Sequence, residues 1–288
     1  MPAPEVHPFH HAASGTWSYL VLDPASLCAA IIDPVLDYEP AAARTGHASV
    51  HALAERAEAV GAQLQWILET HAHADHLSGA QWLQQRWPAA LIAIGQGIRE
   101  VQQHFAPLFG FAPQFPLDGS QFDLLLEDGD SLALGESSIE VIACDGHTGD
   151  GVAYRIGDAV FVGDSLFMPD AGTARCDFPG GDAARLYRSI RRLFELPAQT
   201  RVFVCHDYGP GGREPRCEST IDAQRRSNIH VHDGIDEAAF VALREKRDAT
   251  LAVPALILPA LQVNLAAGRL PEAAADGQRY LRLPLDRF

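Results

Sequence analysis

The chain has 288 residues, 47% of them hydrophobic and 20% charged, a soluble globular balance that suits one large domain, or one domain with an appendage. Its formal net charge of −15 repels nucleic acid and anionic membranes, while a local cationic pocket could still take an anionic small substrate. No apolar run approaches the ~20 residues of a membrane helix, and residues 1–7 lack a basic region followed by an apolar stretch, so neither a transmembrane segment nor a secretory signal is expected and the expected compartment is the cytoplasm.

In chain order, strands are expected over 16–22 and 29–32, the second ending at Asp33-Pro34. Segment 50–60 places Leu53, Ala57 and Val60 on one helical face and stops at Gly61. A buried strand over 64–68 runs into Thr70-His71-Ala72-His73-Ala74-Asp75-His76, and 77–86 reads as a helix. Strand 91–94 and helix 97–105 follow. A β-rich block then takes in 122–126, which turns at Asp128-Gly129, and 139–143, which leads into Asp145-Gly146-His147-Thr148. Strand 152–156 turns through Gly157-Asp158 into 159–162. Asp182 reads as the N-cap of a helix carrying Leu186, Ile190 and Leu193. Strand 201–204 ends at Cys205-His206-Asp207. Two helical stretches follow, near 220–228 and 236–249, and then a Pro-punctuated tail. Its apolar run over 256–264 can dock on its own domain or on a second subunit, so a homodimer is open. Strand blocks separated by helices fit a layered α/β sandwich. We read residues 1–288 as one domain, with a core over about 5–210 and C-terminal helices and tail over about 211–288.

The chemistry concentrates after the strand at 64–68. His71, His73, Asp75 and His76 fall on one strand-to-helix loop, where a rigid scaffold can aim several side chains at one point. Neutral imidazoles with a carboxylate suit a divalent transition metal. A His-rich surface loop or a tag-like accident is the competing reading, but tags sit at disordered termini and this cluster lies between two apolar elements. His147, Asp164 and His206 share the strand-end position. One such histidine is more often a satisfied core residue than a ligand, yet four strand ends stopping at His or Asp point to one converging site. His7, His10, His11, His47, His51, His104, His230 and His232 lack that framing and read as surface or packing residues. The five cysteines form no CxxC pair, which argues against a disulfide framework or a zinc knuckle. Cys144 and Cys205 end apolar runs and read as buried and inert, and Cys176 reads as structural.

His71-Ala72-His73-Ala74-Asp75-His76, Gly146-His147-Thr148, Gly163-Asp164 and Cys205-His206, with Asp33-Pro34 before them, resemble the metallo-β-lactamase superfamily over about residues 16–210. The resemblance implies an α/β fold, the four-layer αβ/βα sandwich with the site at one edge of the sheets, here with a C-terminal helical extension and tail. It also implies that His71, His73 and His147 define one metal position and Asp75, His76 and His206 a second, with Asp164 bridging.

The fold does not fix the reaction. Met168-Pro169-Asp170-Ala171-Gly172-Thr173-Ala174-Arg175-Cys176-Asp177-Phe178-Pro179-Gly180-Gly181 resembles the persulfide dioxygenase branch, with its Arg-x-Asp-Phe signature, and so does His206-Asp207-Tyr208. Glyoxalase II enzymes carry Lys-x-Tyr and His-Glu-Tyr there. The spacing from Asp164 to Arg175 is more like a bacterial subgroup of β-lactamase-like hydrolases. The dioxygenase resemblance implies one Fe(II) per chain on His71, His147 and Asp164, open to thiolate and O₂. His73, Asp75, His76 and His206 would then orient ligands and hold waters. The implied substrates are O₂ and a glutathione-like persulfide, oxidised to sulfite. The alternative is a zinc thioester hydrolase with one or two zinc ions. A metal-bearing module without turnover would be favoured by a missing ligand, and none is missing. Arg175 is expected to bind a substrate carboxylate, with an Arg175–Asp177 salt bridge as the competing reading. Asp177 belongs to the same substrate loop, and Tyr208 is expected to donate a hydroxyl to a glutathione backbone.

Overall fold

Strands of the first half need cover on both faces, because β-rich runs such as Cys28-Ala29-Ala30-Ile31-Ile32 are buried throughout and parallel pairing leaves no solvent face. The computed structural model, which describes residues 3–111 and 115–287, supplies that cover by stacking two sheets between helices. Met1 and Pro2, part of the segment expected to lack a leader, lie outside the described residues. The first half contains β1 (Glu5–His11), β2 (Thr16–Leu22), β3 (Cys28–Ile32), β4 (Val35–Glu39), β5 (Arg44–Gly46), α1 (Ala48–Ala59), β6 (Gln63–Leu68) and β7 (Leu77–Ser78). Next come α2 (Ala80–Arg86), β8 (Leu91–Gly95), α3 (Ile98–Leu108), β9 (Leu124–Leu126), β10 (Ser131–Leu134), β11 (Ser137–Ala143), β12 (Val152–Ile156) and β13 (Ala159–Phe161). The remainder holds α4 (Ala183–Leu193), β14 (Arg201–Phe203), β15 (Glu218–Thr220), α5 (Ile221–Ser227), α6 (Glu237–Asp248) and α7 (Ile257–Asn264).

One six-stranded sheet has the order β1-β2-β3-β6-β8-β9 and the other β10-β11-β12-β13-β14-β15. Ile32, Leu68, Val141, Tyr154 and Phe161 fill the space between them. Leu53 of α1, Leu83 of α2, Phe105 of α3 and Leu261 of α7 cover the outer face of the first sheet. Leu186 and Ile190 of α4, Ile221 of α5 and Phe240 of α6 cover the outer face of the second. The result is the expected αβ/βα metallo-β-lactamase sandwich.

Local departures from the expected elements have physical causes. The helix expected over 77–86 begins only at Ala80, because Leu77 and Ser78 pair with Leu36 and Val35 as a short antiparallel strand. β1 was not expected: its polar sequence, with Pro8, suits a sheet edge, and it pairs with β2 alone. Asp182 does cap α4, accepting from the Arg185 N–H. The apolar run 256–264 is helical and docks on its own chain. Ala260 and Val263 of α7 pack with Leu36 and Leu77, while Ile257 and Leu261 join the core under α3.

Candidate metal centre

The ligand loop leaves β6 in the middle of the first sheet, so its backbone is held on both sides. The Glu69 N–H donates to the Ala93 carbonyl, the Asp33 N–H to the Leu68 carbonyl and the Val152 N–H to the Thr70 carbonyl. Asp33, just past β3, has a φ of 49°, a conformation rare outside glycine. Its carboxylate secures the bend and the loop together. Oδ1 accepts from the Thr70 N–H at 2.7 Å and Oδ2 from the Thr70 hydroxyl at 2.9 Å. Further along, the Ala72 N–H donates to the buried Asp150 carboxylate at 2.8 Å.

The second sheet brings the other ligands to the same edge. His147 follows β11 through Gly146, whose φ is 124° and where a Cβ would lie 2.2 Å from the Leu186 nitrogen. Only glycine fits that approach of α4 to the strand end. Asp164 follows β13 through Gly163, where a Cβ would meet the Thr70 hydroxyl oxygen at 2.7 Å. His206 follows β14 and is fixed by an isolated bridge to Thr16.

All seven expected ligands converge. The ligand atoms of His71, His147 and Asp164 lie within 4.8 Å of one another, as do those of His73, Asp75 and His76. His206 Nε2 joins the two groups, 3.3 Å from Asp75 Oδ2 and 3.4 Å from Asp164 Oδ1. His147 Nε2 is 3.6 Å from Asp164 Oδ2.

The outward ring nitrogens of His71, His73, His76 and His147 are tied down, which aims their other nitrogens inward. His147 Nδ1 donates to the Arg175 carbonyl at 2.6 Å, and His76 Nδ1 to the Leu77 carbonyl at 3.1 Å. His73 Nε2 donates to Asp33 Oδ1 at 3.0 Å. His71 Nδ1 donates to the Thr70 hydroxyl at 3.0 Å, which passes its own proton to Asp33. His73 Nδ1, His76 Nε2, His206 Nε2 and Asp164 Oδ1 are buried without a hydrogen-bond partner. Orphaned groups of this kind are costly unless something binds them. A divalent metal is what this donor set fits, with the tautomers already set by the surrounding carbonyls and carboxylate.

The electrostatics agree. Burial and the neighbouring His73 hold the His71 pKa well below the imidazole range, and burial brings that of His76 down to about 3. Both are therefore neutral imidazoles at neutral pH. Burial works against charge on Asp75, but His206 and His76 outweigh it and lower its pKa to about 2. For His73 burial is likewise outweighed, by the Asp33 carboxylate, and the pKa rises to about 10. Glu69 is pushed up to about 8 by burial beside that pair.

Asp75, His147 and Asp164 face a cavity of about 650 Å³, walled also by Phe178, Tyr208 and Arg247. That volume suits a small-molecule substrate. A second cavity of about 610 Å³ lies away from the ligand atoms, between Gly97 and Asp145. Its carboxylates Asp145 and Asp128 are taken up by Arg185 and Arg192.

At Arg175, which lines the cavity, the structure shows the competing salt bridge. Its guanidinium does not stand open to a substrate carboxylate: Nε and Nη2 clamp Asp177 at 2.6 and 2.7 Å, and Nη1 donates to the Ala252 carbonyl at 2.6 Å. The fork is filled from within the loop, which also occupies the Asp177 carboxylate. The guanidinium lies 5.0 Å from the Phe178 ring, and that ring meets His147 edge-on at 5.3 Å. Arg175-Cys176-Asp177-Phe178 therefore braces a ligand. Tyr208 stacks on His206, with ring centroids 5.7 Å apart, and stays 65% exposed on the cavity wall.

Several site residues escaped the sequence reading. His230, read there as surface or packing, is buried on the cavity wall, where Nδ1 accepts from the Thr173 N–H at 3.0 Å. Arg244 is buried beside it and paired with Asp248. Arg247 is exposed on the same wall with no carboxylate partner among the described residues. These residues come from α6 and its approach, and no local pattern ties them to the strand ends. Asn264 touches the ligand loop, and its one signal was a polar residue ending an apolar run. All five cysteines are free; Cys144 and Cys205 are buried as expected, and Cys176 is buried too.

Comparison with known proteins agrees with this geometry. The family model of the metallo-beta-lactamase superfamily matches residues 12–206. The chain is 50% identical over 291 aligned residues to a Burkholderia pseudomallei protein bearing the name probable metallo-hydrolase, covering 98% of this chain and 99% of that one. It is 32% identical over 198 residues to the mitochondrial persulfide dioxygenase ETHE1 of Homo sapiens, covering 68% of this chain and 65% of the relative. The crystal structure of ETHE1 from Myxococcus xanthus superposes with a TM-score of 0.73 at 29% identity, over 92% of this chain and 100% of that one. With the matched span running from β2 to His206 and enclosing every ligand, this chain belongs to the metallo-beta-lactamase superfamily.

Proposed function

We propose that the chain is a non-haem Fe(II) persulfide dioxygenase acting on glutathione persulfide or a related low-molecular-weight persulfide. The reaction is RSSH + O₂ + H₂O → RSH + SO₃²⁻ + 2H⁺, in which the outer sulfur gives four electrons to O₂. The observation that carries this reading is the His71–His147–Asp164 cluster, two imidazoles and one carboxylate, of which His147 and Asp164 face the cavity beside the Arg175–Phe178 brace. That donor set suits Fe(II) with positions left open. When bound, iron supplies the O₂ activation and the sulfur oxidation.

The residues supply the rest. The Arg175 carbonyl fixes the His147 tautomer and aims Nε2 inward. Thr70 and Asp33 do the same for His71. Phe178 and Leu256 line the apolar side of the cavity and limit water near the reacting sulfur. Arg247, a cation of the wall with no carboxylate partner among the described residues, offers its guanidinium to a substrate carboxylate. In this reading Tyr208, exposed on the cavity wall, donates its hydroxyl to the substrate backbone. Free cysteines throughout fit a reducing, cytoplasmic setting.

A second reading is a zinc thioester hydrolase of the glyoxalase II type. It is favoured by the second donor set, His73, Asp75, His76 and His206, whose inward nitrogens are also unpartnered, and by the hydrolase name of the Burkholderia relative. Metal analysis of anaerobically purified protein separates the two. One iron per chain with O₂-dependent sulfite formation supports the dioxygenase, and two zinc ions each required for thioester cleavage support the hydrolase.

A further inference from the structure

Asn264, the last residue of α7, is 4% exposed, and its side chain is spent on the backbone of the ligand loop. Oδ1 accepts from the Ser78 N–H at 2.8 Å. Nδ2 donates to the His73 carbonyl and to the His76 carbonyl, each at 2.8 Å. One amide thus gathers two loop carbonyls and the strand that follows them. A planar group with two donors and an acceptor is needed for that pattern, and among small side chains only asparagine has it. The two carbonyls belong to the residues whose inward nitrogens, His73 Nδ1 and His76 Nε2, lack a protein partner. The directions of those nitrogens follow the orientation of their peptides.

The helix that delivers Asn264 is itself anchored. Gln102 of α3 donates to the Leu265 carbonyl at 2.9 Å, and Val263 packs with Leu36 and Leu77. We propose that Asn264 is a positioning residue of the metal centre, through which the C-terminal extension, outside the matched family span, holds His73 and His76 in ligating geometry. The inference rests on the metal-holding reading of the site: in the hydrolase reading His73 and His76 ligate, and in the dioxygenase reading they orient the ligands and hold waters.

The test is Co(II) binding to the metal-free protein, read by chelator competition and by the visible d–d bands, beside thermal melting without metal. Failure of the wild type to bind Co(II) would refute the metal reading itself. Given wild-type binding, Asn264→Asp, which keeps the shape but cannot donate, should weaken Co(II) affinity about 10–100-fold, the usual cost of losing a group that orients a ligand, and shift the bands. Leu53→Ala, a core truncation in α1 away from α7, should lower the melting temperature of the metal-free protein yet keep wild-type affinity and bands. Asn264→Ser, which shortens the reach without adding charge, carries the same comparison if the aspartate blocks folding. Wild-type affinity and bands in the Asn264 variants would overturn the proposal. So would equal weakening in Leu53→Ala, or failure of both Asn264 variants to fold without metal, which would make the residue merely structural.

Discussion

Metal binding by the metal-free protein should tighten as pH rises, with His73 setting much of the slope. Burial opposes charge on this imidazole, but Asp33 at 3.0 Å and Glu69 at 3.6 Å from Nε2 outweigh it and hold the pKa near 10. Where His73 ligates a metal, as the second donor set of the hydrolase reading requires, its Nδ1 must be bare, so at pH 7 a proton roughly three units below its pKa must leave, at a cost of about 4 kcal/mol. Affinity should therefore rise about tenfold per pH unit between 7 and 9 through this group. His71 and His76 are held low and release no proton there. Asp33→Asn keeps the volume and an acceptor for Nε2 but removes the charge, so His73 should fall back toward the ordinary imidazole range. Calorimetric titration with Co(II) in buffers of different ionisation enthalpy should count about one fewer proton released per metal in the variant at pH 8. The same coupling acts on stability without metal. A raised pKa contributes stability that is complete below about pH 6.5 and is lost as pH rises through about 10. The melting deficit of Asp33→Asn should thus be greatest near pH 6 and shrink toward pH 10. Equal proton release in wild type and variant would refute the argument.

Two further substitution pairs test the site. Asp164→Ala should abolish turnover, since it removes the only carboxylate of the His71–His147–Asp164 cluster, while His76→Ala should cost about 10–100-fold if one metal suffices; equal and complete loss in both, measured as kcat, would point to two metals. Arg247→Ala should raise KM for a carboxylate-bearing substrate about ten- to a hundredfold, the worth of a charge-assisted pair, with metal content unchanged. Arg175→Ala should instead lower the melting temperature with a smaller effect on KM, because its fork is filled by Asp177; the reverse ranking in steady-state kinetics would restore Arg175 as the carboxylate anchor.

The candidate ligand set was legible because its residues follow four strand ends. His147, Asp164 and His206 stand at fixed offsets from apolar runs, so one sequence feature carried both fold and site. What escaped was side-chain traffic between distant elements. Arg175 and Asp177 stand two apart, and nothing local decides whether they pair with each other or with a substrate; the nearby Ala252 carbonyl completes the internal clamp. Arg247 and His230 reach the cavity only because α6 packs on α4, through contacts such as Tyr187 with Phe240. Leu77 and Ser78 have helix-compatible neighbours, and the competing strand is set by pairing with β4, a partner about forty residues earlier that periodicity cannot see.

The central claim concerns the reaction. Its most direct test is an oxygen-electrode assay on protein loaded anaerobically with one equivalent of Fe(II), using glutathione persulfide, run beside hydrolysis of a glutathione thioester by the same preparation. The account predicts one O₂ consumed per sulfite formed, with little thioester cleavage. Brisk thioester hydrolysis without O₂ uptake, in protein shown to retain its iron, would contradict it.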